Sequence, residues 1–320
     1  MIHQYVTAFR AMGCQFQIWL ETEADGRSIL RQAPAWVEAI EARLSRFRQE
    51  SELSQLNARS GRWVPVSDLL LEVITKAKQA ARMTEGLYNP LVLPALITAG
   101  YDRSFEEIGD RTHTGESHYS AASSPISVSD WQDINIDSRQ QAVRLPAGAQ
   151  IDLGGIAKGW TAERLAERLG VYGACLVDAG GDIVARGRPQ GQDGWQVAVA
   201  EPGDTASNAL FVTIRDAAVA TSGVDYRRWQ QGNRSQHHLI DPRTGQPAVT
   251  DIQTATVIHP RAAMAEAYTK ALILLGSQGG LAWLNRQWKG AGMIIRDDGA
   301  ILATTKFQMY VASAVSIIEE

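Results

Sequence analysis

The chain has 320 residues, 45% of them hydrophobic and 21% charged, with a formal net charge of −4. Such a chain builds a globular core of ordinary size, and its acidic balance excludes a basic nucleic-acid-binding or polybasic membrane surface. The two distant cysteines, Cys14 and Cys175, read as buried thiols and not as a disulfide or metal pair.

Met1 to Thr7 shows no basic head followed by an apolar core, and no lipid-attachment cysteine follows. The expected location is therefore the cytoplasm. Residues 4–21 alternate as two strands turning at Ala11-Met12-Gly13. Helical spacing follows over Ile29 to Phe47 and over Leu69 to Met83, the second capped by Ser67 with Gly86 just beyond its end. The uncharged run from Gly86 to Tyr101 is short and broken by Asn89, Pro90 and Pro94, so it is not a membrane span. Residues 109–127 are polar and read as a flexible loop, with His113 and His118 as solvated loop residues. A hairpin pattern pairs Ile134-Asn135-Ile136 with Val143-Arg144-Leu145. A helix from Ile156 to Leu169 is closed by Gly170, and strands surround Leu176, Ile183, Val197 and Phe211. A strand at Thr254 to Ile258, helices at 261–275 and 279–288 and a strand set at 292–312 complete the chain. Strands and helices without regular βαβ alternation predict an α+β fold. Neither G-x-G-x-x-G after the first strand nor G-x-x-x-x-G-K-[ST] is present.

Five segments carry chemistry. Asp152-Leu153-Gly154-Gly155-Ile156-Ala157-Lys158-Gly159 runs paired glycines into a helix start, where exposed amides favour an anion. Asp178-Ala179-Gly180-Gly181-Asp182 ends a strand in a double glycine and a carboxylate, and Ala220-Thr221-Ser222-Gly223 is a hydroxyl-rich corner. His237-His238-Leu239-Ile240-Asp241-Pro242-Arg243-Thr244-Gly245 puts an imidazole on a strand before a turn, as a general base, a phosphate ligand or a packed residue. Glu266 and Lys270 share one face of a helix. Taken singly, each is also what an ordinary turn, packed histidine or surface ion pair looks like.

Together and in this order the segments resemble the FAD:protein FMN transferases, the ApbE-type flavin transferases. The likeness also takes in Ala11-Met12-Gly13, Ser51 to Asn57 and Gly86 to Pro94. It implies one ApbE-like domain over residues 1–320, with mixed and antiparallel sheets, flanking helices and two intimately packed subdomains holding FAD in the cleft between them. It implies cleavage of FAD, attachment of FMN by a phosphoester to a Ser or Thr of an acceptor protein, and release of AMP. By the same resemblance Met12 packs near the adenine, while Asp152, Gly154, Gly155, Lys158, Gly181, Asp182, Thr221 and Ser222 hold FAD. His238 activates the acceptor hydroxyl and Asp241 orients it. A backbone carbonyl, here of Ala157, joins an Asp and a Thr of the late helix in binding Mg²⁺.

Those two late-helix positions are Glu266 and Lys270 in this chain, and the G-x-x-D-P-T segment carries Asn89 and Leu91. Either Glu266 still ligates Mg²⁺, or the Lys270 ammonium stands in for the metal, since a charged Lys cannot ligate. Thr269 offers a hydroxyl about 100° away around the helix. Three functions follow: a flavin transferase, a non-catalytic or metal-independent FAD-binding protein, and an FAD pyrophosphatase giving FMN and AMP.

Overall fold

Apolar residues at every second position make Cys14–Thr22 a strand with one dry face, where Phe16, Ile18 and Leu20 are fully buried. It pairs antiparallel with His3–Ala11 across the expected turn. This computed structural model describes residues 1–108, 126–231, 234–287, 289–312 and 318–319. The 109–127 loop, with His113 and His118, lies outside the described residues except for 126 and 127. The chain divides into two compact units, the first from Met1–Glu41, Ile156–Gly223 and Thr250–Glu320, the second from Ala42–Gly155 and Val224–Val249.

The first unit is built on a nine-stranded sheet. Its strands run in the order His3–Ala11, Cys14–Thr22, Ala174–Ala179, Ile183–Arg186, Ala218–Gly223, Ile252–His259, Ala291–Arg296, Ile301–Ala303 and Ile318–Glu319. All described pairings are antiparallel except the last. Alternation along Ala174–Ala179 sends Cys175, Val177 and Ala179 into one core, with Ala162, Leu165 and Leu169 of the Ala157–Leu169 helix. Leu176 goes to the opposite core, under the hairpin Trp195–Glu201 and Asp204–Ile214. The sheet is thus covered on both faces and the fold is α+β.

The second unit holds the helices Glu52–Asn57, Asp68–Met83 and Leu93–Thr98, a three-stranded sheet and two short hairpins. Ser67 caps the Asp68–Met83 helix by accepting the Leu70 amide, as its sequence position predicts. The 133–146 hairpin forms with Ile136 opposite Val143.

Two expectations need correction. Ile29 to Phe47 is not one helix but Gly26–Leu30 and Ala33–Leu44, because Pro34 lacks an amide hydrogen and is tolerated only in a first turn. The Ala262–Arg286 stretch, by contrast, is the two helices expected at 261–275 and 279–288, separated by a break at Gly276 (φ 70°, ψ 174°). Asp251 recaps its second half by accepting the Ser277 amide at 2.9 Å. Finally, the C-terminal strand set contains a helical turn, Thr305–Gln308, capped by Thr304.

Candidate functional site

In the first unit the Ala157–Leu169 helix has as its N-cap residue Ile156, which provides no side-chain cap. The helix-start amide at Gly159 is met by the protein's own carboxylate: Glu266 Oε1 accepts it at 2.7 Å. Glu266 is 2% exposed. A Cβ on residue 159 would lie 2.5 Å from that oxygen, so a side chain there must displace the Glu266 carboxylate. The Ala157 carbonyl accepts the Thr161 hydroxyl at 2.7 Å.

Lys270 lies one turn after Glu266. Its Nζ donates to the Glu266 carbonyl at 3.1 Å and sits 3.9 Å from Glu266 Oε2. Thr269 is fully buried; its hydroxyl hydrogen-bonds to the Glu266 carbonyl and the Ser222 hydroxyl, both at 2.7 Å. Ser222 and Thr269 are thus joined, while Thr221 pairs with Thr256 at 2.9 Å.

Lys158, on the first turn of its helix, forms an ion pair with buried Asp182. Asp182 follows Gly180 (φ 66°) and Gly181 (φ 94°), two left-handed residues in a row. The turn is closed by Asp178, whose carboxylate accepts the Gly181 amide at 2.8 Å. Burial pushes the Asp178 pKa up, opposed by that hydrogen bond and by the Lys158 charge. Met12 is half-buried at the strand turn, at φ 51°, and its amide donates to Glu41 at 2.7 Å.

In the second unit the Asp152–Gly155 segment is gripped by residues far away in sequence. Asn57 brackets Ile151, accepting its amide at 2.7 Å and donating to its carbonyl at 2.9 Å. The Asp152 amide donates to the Pro90 carbonyl at 2.8 Å, and Arg46 Nε meets Asp152 Oδ2 at 2.6 Å. The segments Ser51 to Asn57 and Gly86 to Pro94 therefore meet at the glycine turn. Asn89 shapes its own turn by accepting the Leu91 amide at 2.9 Å, and Leu91 is core. The Gly154 amide does not stand open as an anion donor: it donates to Asp152 Oδ1 at 2.7 Å.

The two histidines are held differently. Buried His237 ends the strand Arg234–His237, with Nδ1 accepting from the Leu239 amide at 3.2 Å and Nε2 3.0 Å from the Ala248 carbonyl. A ring that accepts at Nδ1 must carry its hydrogen on Nε2 and donate there. Burial pushes the His237 pKa down. His238 is half-buried in the bend after the strand, not on it as expected, because His237 fills the last paired position opposite Arg228. Buried Asp241 accepts from the backbone and the guanidinium of Arg243, with Nη2 at 2.7 Å, so any effect of Asp241 on His238 includes this Arg.

Sequence reasoning missed Arg46, Asn57 and Gly159 as determinants of these arrangements; only their place inside or beside recognised motifs marked them. An open groove of about 920 Å³ on the first unit, lined by Glu21, Tyr172 and Arg188 among others, contains none of the candidate residues. Among the described residues no helix is long and apolar enough to cross a membrane.

The sequence matches the ApbE family over residues 12–295. It is 29% identical over 312 residues to the FAD:protein FMN transferase of Treponema pallidum, covering 90% of this chain and 83% of that protein. The protein of that name from Klebsiella pneumoniae is 26% identical, over 86% of this chain and 79% of its own. Among solved structures, the flavin transferase ApbE from Vibrio cholerae superposes with a TM-score of 0.77 at 25% identity, over 97% of this chain and 100% of that one. The Thermotoga maritima ApbE protein gives 0.82 at 24% identity, with the same coverage of both chains, and so matches in fold. With a match over most of its length, the chain belongs to the ApbE family.

Proposed function

We propose that the protein is a flavin transferase. It takes FAD and an acceptor protein, joins FMN to a Ser or Thr hydroxyl through a phosphoester, and releases AMP. The observation that carries this reading is the family match over residues 12–295, which spans stretches of both units and every candidate site residue; we accordingly treat them as one ApbE-like domain. In the reaction the acceptor oxygen attacks the FMN-side phosphorus, the pyrophosphate P–O bond to AMP breaks, and the hydroxyl proton passes to His238 as general base. Asp241, itself bound to Arg243, supports the His238 turn. Lys158, Asp182, Thr221, Ser222, Gly181 and Met12 contribute to binding FAD on the first unit, and the Asp152–Gly155 turn does so on the second. That Cys14 and Cys175 form no disulfide with each other fits a cytoplasmic location.

A divalent cation does not fit the Glu266 environment. One carboxylate oxygen is committed to the Gly159 amide, and an ammonium lies 3.9 Å from the other. The Lys270 charge already balances this carboxylate, and a metal would meet direct repulsion there. We infer that FAD binds without Mg²⁺, with Lys270 supplying a fixed positive charge. FAD titration calorimetry in Mg²⁺ and in excess chelator, with AMP followed in the same samples, tests both parts. Equal affinity in the two buffers with AMP release is the expected result. Binding only in Mg²⁺ overturns the metal-free reading. Binding without AMP, even with a flavinylatable acceptor present, leaves a flavin-binding protein in place of a transferase; AMP release without FMN on protein leaves a pyrophosphatase.

A further inference from the structure

Arg46 is a closely held cation of the second unit, and no candidate role accounts for it. Its side chain is 8% exposed, and Nε meets Asp152 Oδ2 at 2.6 Å. The guanidinium carbon lies 4.2 Å from the Phe47 ring centroid and 4.7 Å from that of Tyr101. Nη2 is buried and has no hydrogen-bond partner among the described residues.

These contacts link two parts of the site within one unit. Through Asp152, whose Oδ1 accepts the Gly154 amide at 2.7 Å, Arg46 fixes the first glycine of the turn. Through Tyr101, whose ring lies 5.4 Å from that of Trp229, it packs against the hairpin that leads into His238. Trp229 is itself pinned by donating to the Ala99 carbonyl at 2.8 Å.

A buried ion pair is a poor device for stability alone, since apolar residues of similar volume serve as well or better. An unmet buried donor adds a further cost. A guanidinium kept at that cost beside a glycine turn is suited to an oxygen acceptor that arrives with a ligand. We propose that Arg46 is a binding residue for the pyrophosphate of FAD, with Nε fixing the Asp152–Gly154 turn and Nη2 donating to a phosphate oxygen seated on it. The proposal rests on the flavin-transferase reading.

The test measures FAD affinity by flavin fluorescence for the wild type, Arg46→Met, Arg46→Gln and Arg46→Lys, with melting curves and inorganic pyrophosphate as competitor. Arg46→Met and Arg46→Gln should weaken FAD and pyrophosphate in parallel by about 10- to 100-fold, the loss of one charge-assisted hydrogen bond. Arg46→Lys, which restores a point charge without the fork, should recover part of both. A folded Arg46→Met or Arg46→Gln protein with wild-type affinity for both ligands overturns the proposal while the flavin reading stands. A variant that melts earlier but keeps both affinities assigns Arg46 to structure alone and overturns it equally. If Arg46→Met does not fold, Arg46→Gln decides, because it keeps a donor for Asp152. A wild type that binds no FAD removes the flavin reading itself, and the proposal with it.

Discussion

Glu266 Oε1 accepts the Gly159 amide hydrogen at 2.7 Å, so one helix of the first unit is capped by a side chain of another. The first amides of a helix have no partner within it, and the positive end of its dipole favours a negative group there. Replacing Glu266 by Ala leaves that buried amide unmet and should cost about 1–3 kcal/mol. Glu266→Gln keeps an oxygen acceptor and should lose less. Gly159→Ala drives a methyl group into the same oxygen and should approach the cost of Glu266→Ala. Urea unfolding with an unchanged slope is the measurement; an Ala variant as stable as wild type would show that Glu266 is not a cap.

The same pair shows where the sequence was legible and where it was not. Strand alternation over Cys14–Thr22 and the Ser67 cap are local signals, and both elements formed where their residues indicated. The break at Gly276 was visible as the gap between two helices. Glu266 and Gly159 are 107 residues apart, and Asn57 and Ile151 are 94 apart, so no periodicity records their bonds. The glycine-rich helix start was legible as an anion site, but not that a carboxylate of the protein already serves it. Arg46 carried no spacing signal at all, because its importance comes from burial against two aromatic rings.

His237 and His238 are neighbours with opposite expected phenotypes. His237 is tied at both ring nitrogens to the Leu239 amide and the Ala248 carbonyl. His237→Ala should therefore destabilise the protein by roughly 2–3 kcal/mol, the loss of two buried hydrogen bonds. His238→Ala should leave FAD affinity unchanged and lower AMP release with acceptor present by about 10²- to 10⁴-fold, as for a lost general base. If the two variants exchanged these profiles, the base would be His237 and the division of roles would be wrong.

Gly180 and Gly181 both require left-handed backbone, but only one is crowded. A Cβ at residue 180 would lie 2.6 Å from the Cβ of Cys14, whereas one at residue 181 meets nothing within 4 Å. Gly181→Ala should cost about 1–2 kcal/mol from backbone strain alone. Gly180→Ala adds overpacking and should cost roughly 2–4 kcal/mol. Denaturant midpoints rank the two, and equal losses would mean that Cys14 yields without resistance. Because the turn presents Asp182 to Lys158, both variants should also weaken FAD, Gly180→Ala more than Gly181→Ala.

His259 gives the protein a dependence on mild acid that its carboxylates do not explain. The ring is 6% exposed, accepts the Arg261 amide at Nδ1 at 3.0 Å, and lies edge-on to Tyr268 at 5.6 Å. Burial pushes its pKa down to about 4, helped by the cations Lys289 and Arg261 and opposed by the backbone of Arg261. The unfolded chain takes up this proton near pH 6.5, while the folded protein refuses it until near pH 4. Between those values the unfolded state binds more protons, so stability falls as pH falls and recovers above the window. The loss attributable to this ring is on the order of 3 kcal/mol across the window. His237, also lowered by burial, acts in the same direction. His259→Asn keeps an acceptor for the Arg261 amide but cannot titrate there. Its unfolding free energy should run flatter than the wild type's between pH 6.5 and 4, with the His237 contribution remaining in both. Parallel curves would mean that the imidazole accepts its proton without penalty, and that the acid sensitivity comes from another group.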